Sequence, residues 1–175
     1  SDHAQRLPEV AERIAGYCPE AVWIAIGVND YQGPGPLSRD AFAGACAAFC
    51  DLLHARLPAA VVIVQSPLVK ADEEVRNAAG LALADYRGLI RAAAASRPWC
   101  RFIDGTAILD RGDLADGVHP HTAGMAKYAA FARGVLQALS GAGWRDSLRA
   151  VRPGSASASG MEASPGGRCA TNCRD

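Results

Sequence analysis

Two stretches of this chain, Val22-Trp23-Ile24-Ala25-Ile26 and Val61-Val62-Ile63-Val64, are apolar at every position over the length of a strand. An alternating strand can leave one face to water. A strand apolar throughout must be covered on both, which is the mark of a parallel sheet held between helices. The flanking segments supply those helices. Leu7, Val10 and Ile14 share one helical face, and Pro8 suits a first-turn position. Ser38 is the expected N-cap of a helix carrying Phe42, Ala45, Phe49, Leu52 and Leu53, closed by Pro58. Asp72 to Ala95 reads as one long helix with Val75, Ala79, Leu83, Tyr86 and Ile90 on one face. Arg101-Phe102-Ile103 is a third short strand, and a last helix starts near Thr122 and carries Met125, Tyr128, Ala132, Val135 and Leu139. Strands and helices alternating in this order predict an α/β fold: a parallel sheet with both faces covered.

Length and charge narrow what such a fold can do. At 175 residues the chain has room for one domain and a short remainder, since a domain averages about 150 residues. The domain is expected over residues 1–145. From about Arg152 the composition turns to Ser, Ala, Gly and Pro without periodicity, so 146–175 is expected to be a mostly disordered tail. Lys plus Arg total 18 and Asp plus Glu total 18, and without a basic block charge-driven nucleic-acid binding loses its main support. No apolar run approaches the roughly 18 residues that span a bilayer, so the chain reads as soluble. Compartment and oligomeric state are left open. The six cysteines are too few for a disulfide scaffold, and Cys169 and Cys173, with three residues between them and no nearby histidine, are a poor zinc signature.

In open parallel sheets the ligand crevice lies beyond the carboxyl ends of the strands, and three polar clusters fall there. The first strand delivers Gly27-Val28-Asn29-Asp30, the third delivers Asp104, and a later loop delivers Asp116-Gly117-Val118-His119-Pro120-His121. Asp116 and His119 are three apart in a loop held by Gly117 and Pro120, which lets the carboxylate accept the Nδ1 hydrogen and turns Nε2 outward as a base. The same spacing also suits a loop aspartate capping the next helix beside a surface histidine. Asn29 can aim a neutral donor at a developing oxyanion, or it can simply complete an Asn-Asp turn. Tyr31 and Gln32 are placed to line an acyl pocket or a solvated loop.

Taken together, Gly27-Val28-Asn29-Asp30 and Asp116-Gly117-Val118-His119-Pro120 resemble the third and fifth conserved blocks of the SGNH/GDSL hydrolases. At background residue frequencies a Gly-x-Asn-Asp string has a chance of roughly 0.03 of occurring in such a chain, and Asp-Gly-x-His-Pro a chance on the order of 0.001. The resemblance covers residues 1 to about 140 and implies a flavodoxin-like three-layer α/β/α fold. It also implies ester hydrolysis through a serine acyl-enzyme, with no metal or organic cofactor. His119 would be the general base, Asp116 its partner and Asn29 an oxyanion-hole donor, with Gly27, Asp30 and Tyr31 against the substrate. That substrate would be a small-molecule or carbohydrate ester.

The family's Gly-Asp-Ser block and its second-block glycine do not occur in the chain. Ser1-Asp2-His3-Ala4-Gln5-Arg6-Leu7 resembles the residues just after that glycine, and the only methionines, Met125 and Met161, come late. The chain is therefore expected to begin after both blocks, with the fold incomplete at its N-terminus and the nucleophile upstream of Ser1. Ser66, after the second apolar run, is the internal serine that could reach the crevice, whereas Ser38 and Ser96 look like helix ends. Two other readings compete: a non-catalytic domain that keeps the crevice to hold a ligand, and a metal-dependent hydrolase using Asp30, Asp104, Asp116, His119 and His121.

Overall fold

The structure is a computed structural model and describes residues 3–141. Its elements in chain order are α1 (His3–Gly16), β1 (Ala21–Ala25), α2 (Val28–Gln32), α3 (Arg39–Arg56), β2 (Val61–Gln65), α4 (Leu83–Ala95), β3 (Cys100–Ile103) and α5 (Thr122–Gly141). Short 3₁₀ turns at Gly105–Ala107 and Arg111–Asp113 lie between β3 and α5. The three strands form one parallel sheet in the order β1-β2-β3, with Val22 opposite Val62 and Val64 opposite Phe102.

Every residue of β2 is buried, as an unbroken apolar run between two partners requires. Its two faces meet different helices. Val22, Ile24, Val62 and Val64 join the main core, where α1, α3 and α4 contribute Ala11, Phe42, Phe49, Leu53, Tyr86 and Ile90. Side chains alternate along a strand, so Trp23, Ile63 and Gln65 turn to the other face. There Gln65 Oε1 accepts from Trp23 Nε1 at 3.0 Å and from the Tyr128 hydroxyl at 2.7 Å, which ties α5 to the sheet. The α/β sheet thus has α1, α3 and α4 against one face and α5 over part of the other, where Ala25 and Arg101 stay exposed. Ser38 caps α3 as expected, accepting from Ala41 N at 3.4 Å.

The long helix expected from Asp72 is not continuous: α4 begins only at Leu83. Asn77 Oδ1 accepts from Ala79 N and Leu81 N at 3.0 and 3.1 Å, and Gly80 takes φ +75°, so the chain folds back on itself there. The Asp72 and Val75 carbonyls are taken by the Tyr31 hydroxyl, and Val75 is exposed and not part of the core face. Pro8 sits inside α1, not in its first turn, because the helix extends back to His3; the bond its missing N–H would have made is forgone. Cys46, Cys50 and Cys100 are buried and unbridged, and burial pushes the Cys46 thiol up to about 12, which leaves it unreactive. No helix among the described residues is long and apolar enough to cross a membrane. The expected tail at 146–175, with Cys169 and Cys173, lies outside the described residues.

Candidate active site

Beyond the end of β1 the backbone turns at Gly27, whose φ of +103° is costly for any residue with a side chain. A Cβ there would also stand 3.0 Å from Ile90 Cδ1 and 3.1 Å from Pro67 Cγ. The turn opens α2, so the expected loop residues Asn29, Asp30 and Tyr31 lie on one short helical segment. Asn29 is exposed, and no side-chain hydrogen bond among the described residues occupies its amide. Asp30 is half-buried in the first turn, and its backbone oxygen accepts from the Tyr86 hydroxyl at 3.4 Å. Tyr31, expected against the acyl group, is instead buried: its ring meets Tyr86 edge-on at 6.0 Å and its hydroxyl reaches the Val75 carbonyl at 2.6 Å. A residue so enclosed braces the turn and does not face solvent.

The segment from Asp116 to Pro120 lies in a closed loop. Leu114 and Pro120 bridge in antiparallel fashion and Ala115 N donates to His119 O at 2.8 Å, while Gly117 makes the reversal with φ +81°. Inside it, Asp116 Oδ1 accepts from Val118 N and His119 N at 2.9 and 2.7 Å, and Oδ2 lies 2.7 Å from His119 Nδ1. The His119 amide, the His119 ring and the Val118 amide together hold the Asp116 carboxyl well below the usual carboxylate range. Asp116 therefore stays charged, and a proton on Nδ1 satisfies the contact, so in the neutral imidazole Nε2 is the nitrogen left to accept. Both side chains are open, His119 at 76% and Asp116 at 56% exposure, so a solute can reach that nitrogen.

The spacing had also allowed Asp116 to cap α5, but that place is held by His121, whose Nδ1 accepts from Gly124 N at 3.1 Å. Its Nε2 is 3.0 Å from Gly112 O, so both ring nitrogens are occupied and neither is turned to a metal. Asp104, the third cluster, caps the turn after β3 through Thr106 and pairs with Arg91 at 2.6 Å. Ser66 is fully buried and its Oγ accepts from Gly105 N at 3.0 Å, which removes it as a nucleophile open to substrate.

A connecting segment that the periodicity concealed lies between the two blocks. Arg87 donates to Pro67 O and Leu68 O at 3.0 and 2.7 Å and to Glu73 Oε2 at 2.6 Å, folding residues 66–73 against α4. Ala71 N in turn donates to Gly117 O at 2.8 Å, while Asp72 O and Val75 O hold the Tyr31 hydroxyl. Lys70, buried beside Asp72, has its ammonium 5.8 Å from the Tyr31 ring centre. Both blocks thus hang on one strap at the carboxyl end of the sheet. Only its polar residues, at positions a helix would leave exposed, could have signalled it.

Comparison with known proteins adds to this geometry. Residues 1–127 match the model of the GDSL-like lipase/acylhydrolase family. A salicylyl-acyltransferase from a tetracycline biosynthetic pathway superposes with TM-score 0.60 at 19% identity, over 77% of this chain and 42% of that one. A carbohydrate esterase of family 3 from Talaromyces cellulolyticus superposes with TM-score 0.62 at 18% identity, over 79% and 69% of the two chains. An acetyl esterase mutant bearing an acetate ion gives TM-score 0.58 at 20% identity, over 77% and 68%. At these identities the structures share the fold; the chain spans less than half the length of the acyltransferase. Among curated proteins no match is found.

Proposed function

Because the chain belongs to the GDSL-like lipase/acylhydrolase family, we propose that it carries the acid–base half of an ester hydrolase that works through a serine acyl-enzyme. The observation that carries the reading is the 2.7 Å contact between Asp116 and His119 Nδ1, made by two side chains open to solvent. Asp116 keeps the proton on Nδ1, so Nε2 takes the hydrogen of the nucleophilic hydroxyl as its oxygen attacks the ester carbonyl carbon. The carbonyl oxygen becomes an oxyanion, toward which the Asn29 amide donates. When the intermediate collapses, the carbon–oxygen bond to the leaving alcohol breaks and the imidazolium returns its proton to that alcohol. Water, deprotonated by the same nitrogen, then releases the acid and restores the serine.

With Ser66 enclosed and no Gly-Asp-Ser string present, the nucleophile in this reading is a serine N-terminal to Ser1. The substrate in this reading is an ester carried on a small molecule or a carbohydrate, which the likeness to a carbohydrate esterase supports. The test is hydrolysis of p-nitrophenyl acetate and labelling by a fluorophosphonate, run on the 175 residues alone and with the natural upstream sequence added. Label is expected on the added serine, lost with His119→Ala. Label on Ser66 of the short chain would overturn the assignment of the nucleophile, and a long chain that binds esters without turnover would favour a ligand-holding domain.

A further inference from the structure

We propose that His121 is a positioning residue for His119, held neutral with its proton on Nε2 so that its neighbour keeps the opposite tautomer. A backbone carbonyl can only accept and a backbone amide can only donate. With Gly112 O at 3.0 Å from Nε2 and Gly124 N donating to Nδ1 at 3.1 Å, the ring of His121 has one consistent protonation state. His119 is the reverse case, because its Nδ1 faces a carboxylate at 2.7 Å. Two histidines two residues apart thus hold opposite tautomers, each set by its partners.

The effect on the loop comes from the elements that His121 joins. Its ring caps the first turn of α5 and grips the 3₁₀ turn at Arg111–Asp113, and its own amide donates to Asp113 O at 2.9 Å. That turn is fastened to α5 a second time, since Lys127 Nζ reaches Asp113 Oδ2 at 2.6 Å and Asp110 Oδ2 at 3.2 Å. The two elements approach so closely that a Cβ at Gly124 would lie 2.4 Å from Asp113 O. Residues 114–120 leave from this clamp and return to it, so the imidazole of His121 joins the segment before the loop, at Gly112, to the helix after it, at Gly124. Protonating or removing that ring deletes an acceptor for Gly124 N, and the returning end of the loop loosens.

The proposal rests on the ester-hydrolase reading for its consequence in turnover, but it is measured without substrate. In the 175-residue chain labelled with ¹⁵N-histidine, long-range nitrogen–proton correlation spectra at neutral pH should show His121 protonated on Nε2 and His119 on Nδ1. In His121→Ala the amides of Val118 and His119, which donate to Asp116, should exchange about tenfold faster, and His119 should become a mixture of tautomers. His121→Asn can accept from Gly124 N as a conventional cap and should recover part of the protection. A proton on Nδ1 of His121 in the unaltered chain overturns the proposal, whether or not the alanine variant folds. So does unchanged exchange at Val118 and His119. If instead the tautomers and exchange behave as stated while the extended chain neither labels nor hydrolyses esters, the hydrolase reading fails and the positioning stands.

Discussion

Replacing Arg87 by Met keeps an apolar stem of similar length and removes three hydrogen bonds, to Pro67 O, Leu68 O and Glu73 Oε2. The exposures of the two partners are 13% and 17%, so the change strands a largely enclosed carboxylate. Breaking a buried pair by deleting one partner costs about 3–5 kcal/mol. This pair lies near the rim and Arg111, 3.7 Å from Glu73 Oε1, can swing inward, so the expected loss is about 2–3 kcal/mol. For a domain of this size that lowers Tm by roughly 5–12 °C. The loss should depend on pH. Burial raises the Glu73 carboxyl, but the hydrogen bond and charge of Arg87 outweigh it and hold the group below its usual value. A depressed acid contributes stability above its unfolded value of about 4.3 and loses it as pH falls through the lower folded one. Without Arg87 only burial and weaker partners remain, so the gap between the two proteins should be wide at pH 7 and narrow toward pH 4. Thermal unfolding by circular dichroism at both pH values reads this directly. Adding Glu73→Gln to Arg87→Met should recover part of the loss, because no charge is then stranded. An equal gap at both pH values, or a double variant less stable than Arg87→Met, would refute the reasoning.

On the ester-hydrolase reading, and with the natural upstream sequence added, Asp116→Asn should lower kcat about 10⁴-fold, because an amide facing Nδ1 favours the wrong tautomer; Tm should move by only a degree or two, since the new side-chain oxygen still accepts from Val118 N and His119 N, whereas Asp30→Asn should lower kcat far less. Gly27→Ala should destabilise by about 1–3 kcal/mol in urea unfolding, given the left-handed backbone and the crowding by Ile90 and Pro67. Ser66→Ala should cost about 1–3 kcal/mol by leaving Gly105 N without its acceptor, and should leave fluorophosphonate labelling of the extended chain intact; lost labelling would return Ser66 to the catalytic set.

The strands and the Asp116–His119 contact were legible because the forces behind them are local or depend on one pattern. An apolar run such as Val61–Val64 has nowhere to go but a covered strand, and it is fully buried. Asp116 and His119 meet within one loop whose reversal at Gly117 is written in the chain, so no distant partner is needed to bring the carboxylate to Nδ1. The path of the chain after β2 was decided elsewhere. Asp72 to Ala82 carries the same 3.6-residue apolar period as α4, and nothing local separates them except Asn77 and Gly80. The segment leaves the helix because Tyr31, more than forty residues earlier, takes its carbonyls, and because Arg87 folds the preceding loop onto Glu73. The same contacts draw Tyr31 inward, while the close approach of Gly105 encloses Ser66, so side chains that their strand-end positions would put in the crevice become its supports. Periodicity states which face of an element is apolar; which polar groups are satisfied in the interior depends on residues that meet only after the chain has folded.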